Sequence, residues 1–415
     1  MTAALRAAAA VDGQRLWRRL AALAEHGARP DGGVNRPALS AEEASAKRLL
    51  MEWGAETGLA PFSDELGNLF LRWDCGDADA PAALVGSHID SQPTGGRYDG
   101  AYGVLAALEA VQALQAVGLR PTMPVEVVAW TNEEGSRFAP GMMGSAGFAG
   151  ARDTAEILAR QDARGITVAA ALAAQQALLP PIPQRALRRP VALCLEPHIE
   201  QATVLEEHGI PIGIVTGMQG KRTFRVEVTG EAAHAGTAPR ARRRDALLAT
   251  ARILLALEVL TADAADIVRF TVGRIEVEPN APSVVPARAV FSIDLRHPDA
   301  AVLTRLGDGV AGACTAAAGP CSVTVTQLSS AMPQRFDTTL QRHLTEAGAA
   351  LGIASMPVES AAGHDARFLE PVCPTAMIFI PCRDGVTHHP AESIEPADAE
   401  AGTRVLAATL ARLIV

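Results

Sequence analysis

Histidine and carboxylate side chains recur just after apolar runs of this sequence, where they could bind a divalent cation. They follow four such runs: His88, Asp90 and Asp99 after 82–85; Glu133 and Glu134 after 124–131; His198 after 191–195; His388 and His389 after 375–380. Any one of these pairs alone is commonly no more than a solvated loop. Together, imidazole and carboxylate donors without cysteine suit Zn²⁺, Mn²⁺ or Co²⁺. The pattern therefore predicts a metal site.

The donors are numerous enough for two ions that share one carboxylate. Two ions held in this way would acidify a common water molecule and polarise a carbonyl group. Glu133 and Glu134 are adjacent, so in an extended backbone they cannot both point at the same atom. One of them can bind an ion while the other accepts a proton from the water. The Asp90 side chain can fix the tautomer of His88 through its second ring nitrogen.

To bring these side chains together, the strands that precede them must be parallel in one sheet, so that their carboxyl ends meet at one edge. Apolar, strand-like runs alternate with helical spacing over 1–215 and again over 331–415, which predicts an α/β fold with a mostly parallel central sheet and helices on both faces. The carboxyl edge of such a sheet is the usual position of a site. Residues 216–330 instead show strands and helices in the order βαββαβ, so we expect an inserted α+β domain there.

Composition excludes several classes of protein. The chain of 415 residues is 48% hydrophobic, which is enough for two domains with their own cores. Its net charge of -9 argues against a general nucleic-acid-binding protein. No uninterrupted apolar run reaches the roughly 18 residues of a membrane span, and the six cysteines are scattered without CxxC pairs. We therefore expect a cytoplasmic protein that binds neither nucleic acid nor membranes.

Five segments carry a resemblance to a known family: GSHIDSQPTGGRYDG, TNEEGSRF, EPHIEQ, AAHAGTAPRARRRDAL and GVTHHP. In this order they resemble the zinc-dependent amidohydrolases of the M20 peptidase superfamily. They look like its hydantoinase/carbamoylase branch, which holds N-carbamoyl-L-amino-acid hydrolases, β-ureidopropionase and allantoate amidohydrolase. EPHIEQ separates this branch from ordinary M20 peptidases. The resemblance implies hydrolysis of the C–N bond of an N-carbamoyl (ureido) group on a small carboxylate, with release of ammonia and CO₂.

The resemblance also implies roles for individual residues of a catalytic domain formed by 1–215 and 331–415. Two divalent ions per subunit, Zn²⁺ first and Mn²⁺, Co²⁺ or Ni²⁺ as alternatives, would be bound by His88, Asp99, Glu134, His198 and His388, with Asp99 bridging. Glu133 would be the general base. The last ligand of the family lies two residues before a proline, which selects His388 over His389.

The inserted domain, 216–330, resembles the lid and dimerisation domain of the family and implies a homodimer. His234 would contact the reacting carbamoyl oxygen from the partner subunit, and Gln201, Asn280, Arg296 and Gly363 would line the substrate site. A guanidinium at the end of an apolar strand suits bidentate binding of a carboxylate. Without the resemblance, an ion pair of Arg296 with Asp294 or Asp299 is the simpler interpretation.

Three departures from the family pattern leave the substrate open. The chain has Ala202-Thr203 where Gly-Pro is usual, Ala238-Pro239-Arg240 where Thr-Pro-Met is common, and Ser283 where asparagine is common. None of them is a predicted ligand, but all lie beside the predicted pocket. An N-carbamoyl-L-amino acid is the first choice, and allantoate, ureidoglycolate or a β-ureido acid are alternatives. An aminoacylase or peptidase of the superfamily, or a non-catalytic binding protein with this fold, remain further alternatives.

Overall fold

The structure of the chain, a computed structural model, describes residues 1–77 and 80–415. It contains two compact units. The first is formed by Met1–Thr216 together with Phe336–Val415, and the second by Gly217–Arg335. The second unit is thus inserted into the chain of the first.

The first unit is an α/β structure. Its helices are α1 (Ala3–Ala9), α2 (Gly13–Ala24), α3 (Ala41–Glu56), α4 (Ala101–Ala116), α5 (Met143–Phe148), α6 (Thr154–Ala159), α7 (Val168–Gln176), α8 (Val204–His208), and, after the insertion, α11 (Thr338–Leu351), α12 (Ala366–Leu369) and α13 (Pro396–Leu413). Its strands are β1 (Ala60–Asp64), β2 (Leu69–Trp73), β3 (Ala82–His88), β4 (Val125–Trp130), β5 (Gln184–Arg185), β6 (Val191–Ile199), β7 (Ile212–Met218), β16 (Ser355–Ser360) and β17 (Thr375–Ile380).

The strands of this unit form one sheet in the order β7-β17-β6-β3-β4-β2-β1-β5, with β16 paired to β7. The four central strands β17, β6, β3 and β4 are parallel to one another. Antiparallel pairs flank them, β7 with β17 on one side and β2 with β4 on the other. The predicted mostly parallel central sheet is therefore confirmed.

Both faces of the sheet are covered by helices. Along β3, Ala83 and Val85 pack into the large cluster that includes residues of α4 and α13. Leu84 points to the opposite face and packs with Val128 of β4 and Phe148 of α5. This alternation, with every residue of β3 buried, explains why the strand appears in the sequence as a continuous apolar run.

The second unit is an α+β structure with its own core. Its elements are β8 (Gly220–Thr229), β9 (Ala233–His234), α9 (Ala246–Leu260), β10 (Arg269–Thr271), β11 (Ile275–Glu278), β12 (Val284–Val285), β13 (Arg288–His297), α10 (Ala300–Ala317), β14 (Ser322–Ala331) and β15 (Gln334–Arg335). The main sheet has the order β10-β13-β8-β14, with β11 also paired to β13, and β9 pairs with β12 separately. The predicted limit at residue 330 falls inside β14, and the unit continues through β15, which pairs with Gly217 and Met218.

The two short 3₁₀ helices, Arg240–Arg242 and Arg383–Gly385, lie in loops. Within 1–77 and 80–415, none of the helices combines the length and apolar character that crossing a bilayer requires.

Gly103 of α4 provides a test of how closely this helix packs on the sheet. A Cβ atom there would lie 2.1 Å from the Pro197 carbonyl oxygen and 2.8 Å from Ser87 Cβ. We expect Gly103→Ala to lower the free energy of unfolding by about 1–3 kcal/mol, because α4 must move away from β3 and β6. Urea denaturation measures this change.

Gly312→Ala in α10 is the matched control, because a Cβ atom there meets nothing within 4 Å. The control should be neutral or stabilising by up to about 1 kcal/mol, since alanine is favoured over glycine within a helix. Equal effects of the two substitutions would contradict the close packing of α4.

Candidate metal centre

The predicted ligands meet at one edge of the central sheet. His88 is the last residue of β3 and His198 the penultimate residue of β6, while the segment with Glu133 and Glu134 follows β4. His388 lies in the loop after β17. Because these four strands are parallel and adjacent, their carboxyl ends share one edge, where sites of α/β sheets are found.

The Asp99 carboxylate lies between the histidines. Its Oδ1 is 3.5 Å from His88 Nε2 and 3.2 Å from His198 Nε2. Its Oδ2 is 3.3 Å from His388 Nε2, which is itself 3.4 Å from Glu134 Oε2. The donors thus form two groups that share Asp99, one with His88 and His198 and one with Glu134 and His388, and within each group the donor atoms lie within 4.8 Å of one another.

Backbone carbonyls set the tautomers of two of these histidines. His88 Nδ1 is 3.0 Å from the Asp90 carbonyl oxygen, and His198 Nδ1 is 2.9 Å from the Ile199 carbonyl oxygen. A carbonyl oxygen can only accept a hydrogen bond, so each Nδ1 carries the hydrogen. Each Nε2 therefore carries a lone pair and no hydrogen, the state in which imidazole binds a metal ion.

The Asp90 side chain does not act as the sequence predicts. Its Oδ1 is 3.6 Å from His88 Nδ1, farther than the Asp90 carbonyl oxygen. Its carboxylate oxygens instead accept the backbone N–H groups of Glu133 at 3.1 Å and Glu134 at 3.2 Å. These buried amides need acceptors, so the Asp90 backbone orients His88 while its side chain orients the loop of the two glutamates. Burial raises the pKa of Asp90 to about 7.

The two adjacent glutamates face different parts of the centre. Glu133 Oε2 is 3.5 Å from His88 Nε2, whereas Glu134 Oε2 faces His388 and accepts a 2.7 Å hydrogen bond from Gln92 Nε2. Burial raises the pKa of Glu133 well above its ordinary value, as expected for a general base in an enclosed site. The pair can therefore divide ion binding and proton transfer between its members.

The electrostatics of the centre favour cations. Asp90, Asp99, Glu133 and Glu134 converge there, and within the described part of the chain no lysine or arginine forms an ion pair with them. The buried Arg36 donates to backbone carbonyls instead. Burial opposes ionisation of Asp99, but the three histidines around its carboxylate hold its pKa well below its ordinary value. This donor set fits two divalent ions.

Gly100, directly after Asp99, is required by the crowding at this point. Its φ is +64°, and a Cβ atom there would lie 2.4 Å from His88 Nε2. Its backbone N–H also donates to His198 Nε2 over 3.2 Å. A side chain at this position would therefore displace a predicted ligand.

Three buried residues around the centre were not assigned a role from sequence. Glu196 accepts hydrogen bonds from Ser87 Oγ at 2.8 Å and Ala366 N at 2.7 Å, which joins β6, β3 and α12. The His364 ring packs on the His198 ring with centroids 4.4 Å apart. Glu392 accepts the backbone N–H of Asp99 at 3.0 Å. Glu196 lies in EPHIEQ, but a single glutamate or histidine has no spacing from which such a contact can be predicted.

Of the predicted substrate residues in the first unit, Gln201 is at the centre. Its Nε2 donates to Asp99 Oδ2 over 2.8 Å, and its φ is +59°. Gly363 lies in the loop between β16 and α12, where a Cβ atom would be 2.9 Å from Met142 Cε. This glycine directly precedes His364, which packs on a predicted ligand.

His234, in the second unit, has a defined tautomer. The backbone N–H groups of Gly236 and Thr237 donate to its Nδ1 over 3.0 and 3.1 Å. Because Nδ1 accepts, the hydrogen of the neutral ring is on Nε2. The exposed side chain thus offers an Nε2–H donor, the group that stabilisation of an oxyanion requires.

The other two predicted substrate residues are also in this unit. Asn280 has a φ of +53° and is exposed in the loop between β11 and β12. Arg296 Nε donates to Asp294 Oδ1 over 2.9 Å, and Lys221 binds the same carboxylate at 2.9 Å. The ion pair that the residues alone suggest is therefore present. A third of the Arg296 side chain remains exposed.

Comparisons with known proteins agree on one family. The model of peptidase family M20/M25/M40 matches residues 84–412. The chain is 40% identical over 409 residues to an N-carbamoyl-L-amino acid amidohydrolase of Geobacillus stearothermophilus, covering 97% of this chain and 99% of that relative. It is 35% identical over 395 residues to an allantoate amidohydrolase of Escherichia coli, covering 94% and 95%.

A solved structure agrees over almost the whole length. The crystal structure of an amidase of the hydantoinase/carbamoylase family from Burkholderia multivorans superposes with a TM-score of 0.88 at 41% identity, covering 97% of this chain and 98% of that one. The predicted resemblance is therefore confirmed, and the chain belongs to peptidase family M20/M25/M40, with amidohydrolases of the hydantoinase/carbamoylase type among its relatives.

Proposed function

We propose that this enzyme hydrolyses the C–N bond of an N-carbamoyl group on a small carboxylate, with an N-carbamoyl-L-amino acid as its first substrate. The observation that carries the proposal is the pair of donor groups sharing Asp99, with Glu133 beside them. The amidohydrolase relatives support the reaction type.

Two divalent ions per subunit, Zn²⁺ or one of Mn²⁺, Co²⁺ and Ni²⁺, are held by the five candidate ligands in this proposal. When bound, such ions polarise a carbonyl group and lower the pKa of water. The ligands themselves supply the selectivity against Mg²⁺ and Ca²⁺, because imidazole nitrogen is a poor donor for those ions.

Glu133 performs the proton transfers. Its carboxylate accepts a proton as water attacks the carbamoyl carbon, and it returns a proton to the amine nitrogen as the C–N bond breaks. The products are the amino acid and carbamate, which decomposes to ammonia and CO₂. Asp90 supports this role, because its carboxylate holds the backbone N–H of Glu133 at 3.1 Å.

The Nε2–H of His234 donates to the carbamoyl oxygen as negative charge develops on it. Arg296 binds the substrate carboxylate, and Gln201, Asn280 and Gly363 also contact the substrate in this proposal. In this proposal the inserted unit acts as a lid, and His234 comes from the partner subunit of a homodimer.

Two surfaces of the second unit support dimerisation through it. On α9, Leu255 and Val259 are 63% and 77% exposed, and Leu247 and Leu248 are exposed beside them. Strand β14 lies at one edge of the sheet and presents the uncharged residues 322–331. Exposed apolar surface and an unpaired strand edge are features that a second copy of the chain covers.

Allantoate amidohydrolase and β-ureidopropionase activity are the alternatives within the same chemistry. The similarity to an allantoate amidohydrolase of Escherichia coli favours the first of them. We infer a cytoplasmic location as well, and the buried thiols of five of the six cysteines support it.

The reaction can be tested with a panel of substrates. Protein stripped with a chelator and reloaded with Zn²⁺, Mn²⁺, Co²⁺ or Ni²⁺ should release ammonia from N-carbamoyl-L-amino acids, and stripped protein should not. The same amino acids with an N-acetyl group are the control, because they carry an ordinary amide. Faster release of amino acid from the acetyl series would contradict the proposal and favour an aminoacylase.

Substitution of the two adjacent glutamates separates their roles. Glu133→Gln should reduce kcat by about 10²–10⁴ because no base remains to accept the proton. Its ion content, measured by elemental analysis, should stay at the wild-type level. Glu134→Gln is the matched control and should lose bound metal. A Glu133→Gln protein with a near-normal rate would refute the assignment of the base.

His234 can be tested for its role and for the subunit that supplies it. His234→Ala should fold and bind metal but lose about 10²–10³ in kcat, since an oxyanion donor is missing. His208→Ala, which removes an exposed histidine of α8, should be unaffected.

Co-expression of the His234→Ala and Glu133→Gln chains should restore activity in mixed dimers. One site of each mixed dimer then combines the intact Glu133 of one subunit with the intact His234 of the other. If His234 acts within its own subunit, every site of a mixed dimer lacks one residue and activity does not return.

A further inference from the structure

Glu392 connects two loops of the candidate centre. It lies four residues after His388, in the loop that follows β17, and it is only 4% exposed. Its Oε1 accepts the backbone N–H groups of Tyr98 at 2.8 Å and Asp99 at 3.0 Å. The loop that carries one predicted ligand therefore binds the backbone of another.

Gly96 makes space for this contact. A Cβ atom on Gly96 would lie 2.0 Å from Glu392 Cδ and 2.2 Å from its Oε1. Any side chain at position 96 would consequently push the carboxylate away from the Tyr98 and Asp99 amides. The glycine-rich turn before Asp99 is thus shaped around the Glu392 side chain.

The other oxygen of Glu392 shows that the contact is unusual. Oε2 is buried and has no hydrogen-bond partner among the described residues. Burying a carboxylate with one oxygen unpaired is unfavourable, so the two hydrogen bonds that Oε1 accepts have to offset this cost. The Asp99 carboxylate repels that of Glu392, which adds to the cost.

The orientation of the Asp99 backbone decides where its carboxylate oxygens point. Oδ1 faces His88 and His198 while Oδ2 faces His388. The two oxygens belong to one rigid carboxylate group. A rotation of the backbone that keeps one oxygen in place therefore moves the other. Two hydrogen bonds from consecutive backbone N–H groups to one acceptor restrict such a rotation.

We propose that Glu392 is a positioning residue that holds the Asp99 backbone so that its carboxylate can bridge two divalent ions. This inference rests on the two-ion site of the proposed function. The role is exerted through Oε1 and its two hydrogen bonds, so an amide oxygen in the same place performs it as well.

Zinc affinity of the stripped protein tests this role without any substrate. Titration against a chelating indicator should give an affinity about 10–100-fold weaker for Glu392→Ala than for the wild type, the usual size of an outer-shell effect. Glu392→Gln should bind zinc with nearly wild-type affinity, because its amide oxygen accepts the same two N–H groups. Thermal unfolding of the metal-free proteins reports whether each variant is folded.

Gly96→Ala approaches the same contact from the other side. It leaves Glu392 unchanged but displaces its carboxylate, so zinc affinity should fall here too. Gly273→Ala is the matched control, since a Cβ atom at position 273 meets nothing within 4 Å, and its affinity should not change.

The proposal is overturned if Glu392→Ala or Gly96→Ala binds zinc as tightly as the wild type, or if Glu392→Gln is as weak as Glu392→Ala. The last result would assign the effect to the charge rather than to the hydrogen bonds. Failure of the proposed reaction would appear separately, as a zinc-loaded wild-type protein that releases no ammonia from N-carbamoyl amino acids.

Discussion

One buried carboxylate has to face three ring nitrogens at the same time, two at the ends of strands and one in the loop after a third strand. Asp99 meets this requirement with Oδ1 toward His88 and His198 and Oδ2 toward His388. The parallel order β17-β6-β3-β4 brings the three histidines to one edge, and Gly100 leaves room for the His88 ring. The distances between the donors depend on the relative positions of these strands, because a shift of any of them would separate the donors.

The convergence of the predicted ligands could be predicted from the sequence because it depends on local patterns and one general rule. Continuous apolar runs mark buried parallel strands, and such strands deliver functional side chains at their carboxyl ends. His88, His198 and His388 each follow a run of this kind. The choice of His388 over its neighbour His389 and the roles of the second unit came from the family resemblance instead.

Other features could not be predicted because they depend on contacts between distant residues. Glu392 binds the amide of Asp99 across 293 residues, and Glu196 binds Ser87 across 109. The sequence predicts that the Asp90 side chain fixes the His88 tautomer, but the nearer acceptor is the Asp90 carbonyl oxygen. Both acceptors belong to one residue, so the sequence cannot show which of them takes the hydrogen bond. The end of the inserted unit was placed too early because β15 has two residues, too few to show a periodic pattern.

The hydrogen bonds that orient His88 and His198 end on the carbonyl oxygens of residues 90 and 199. Every amino acid has such an oxygen, so the choice of which imidazole nitrogen is left to bind a cation is built into the chain path itself. Substitutions at positions 90 and 199 that preserve this path leave that choice intact. The two histidines therefore keep Nε2 as the cation-binding nitrogen when the side chains at positions 90 and 199 change. A side-chain partner could be lost by a single substitution.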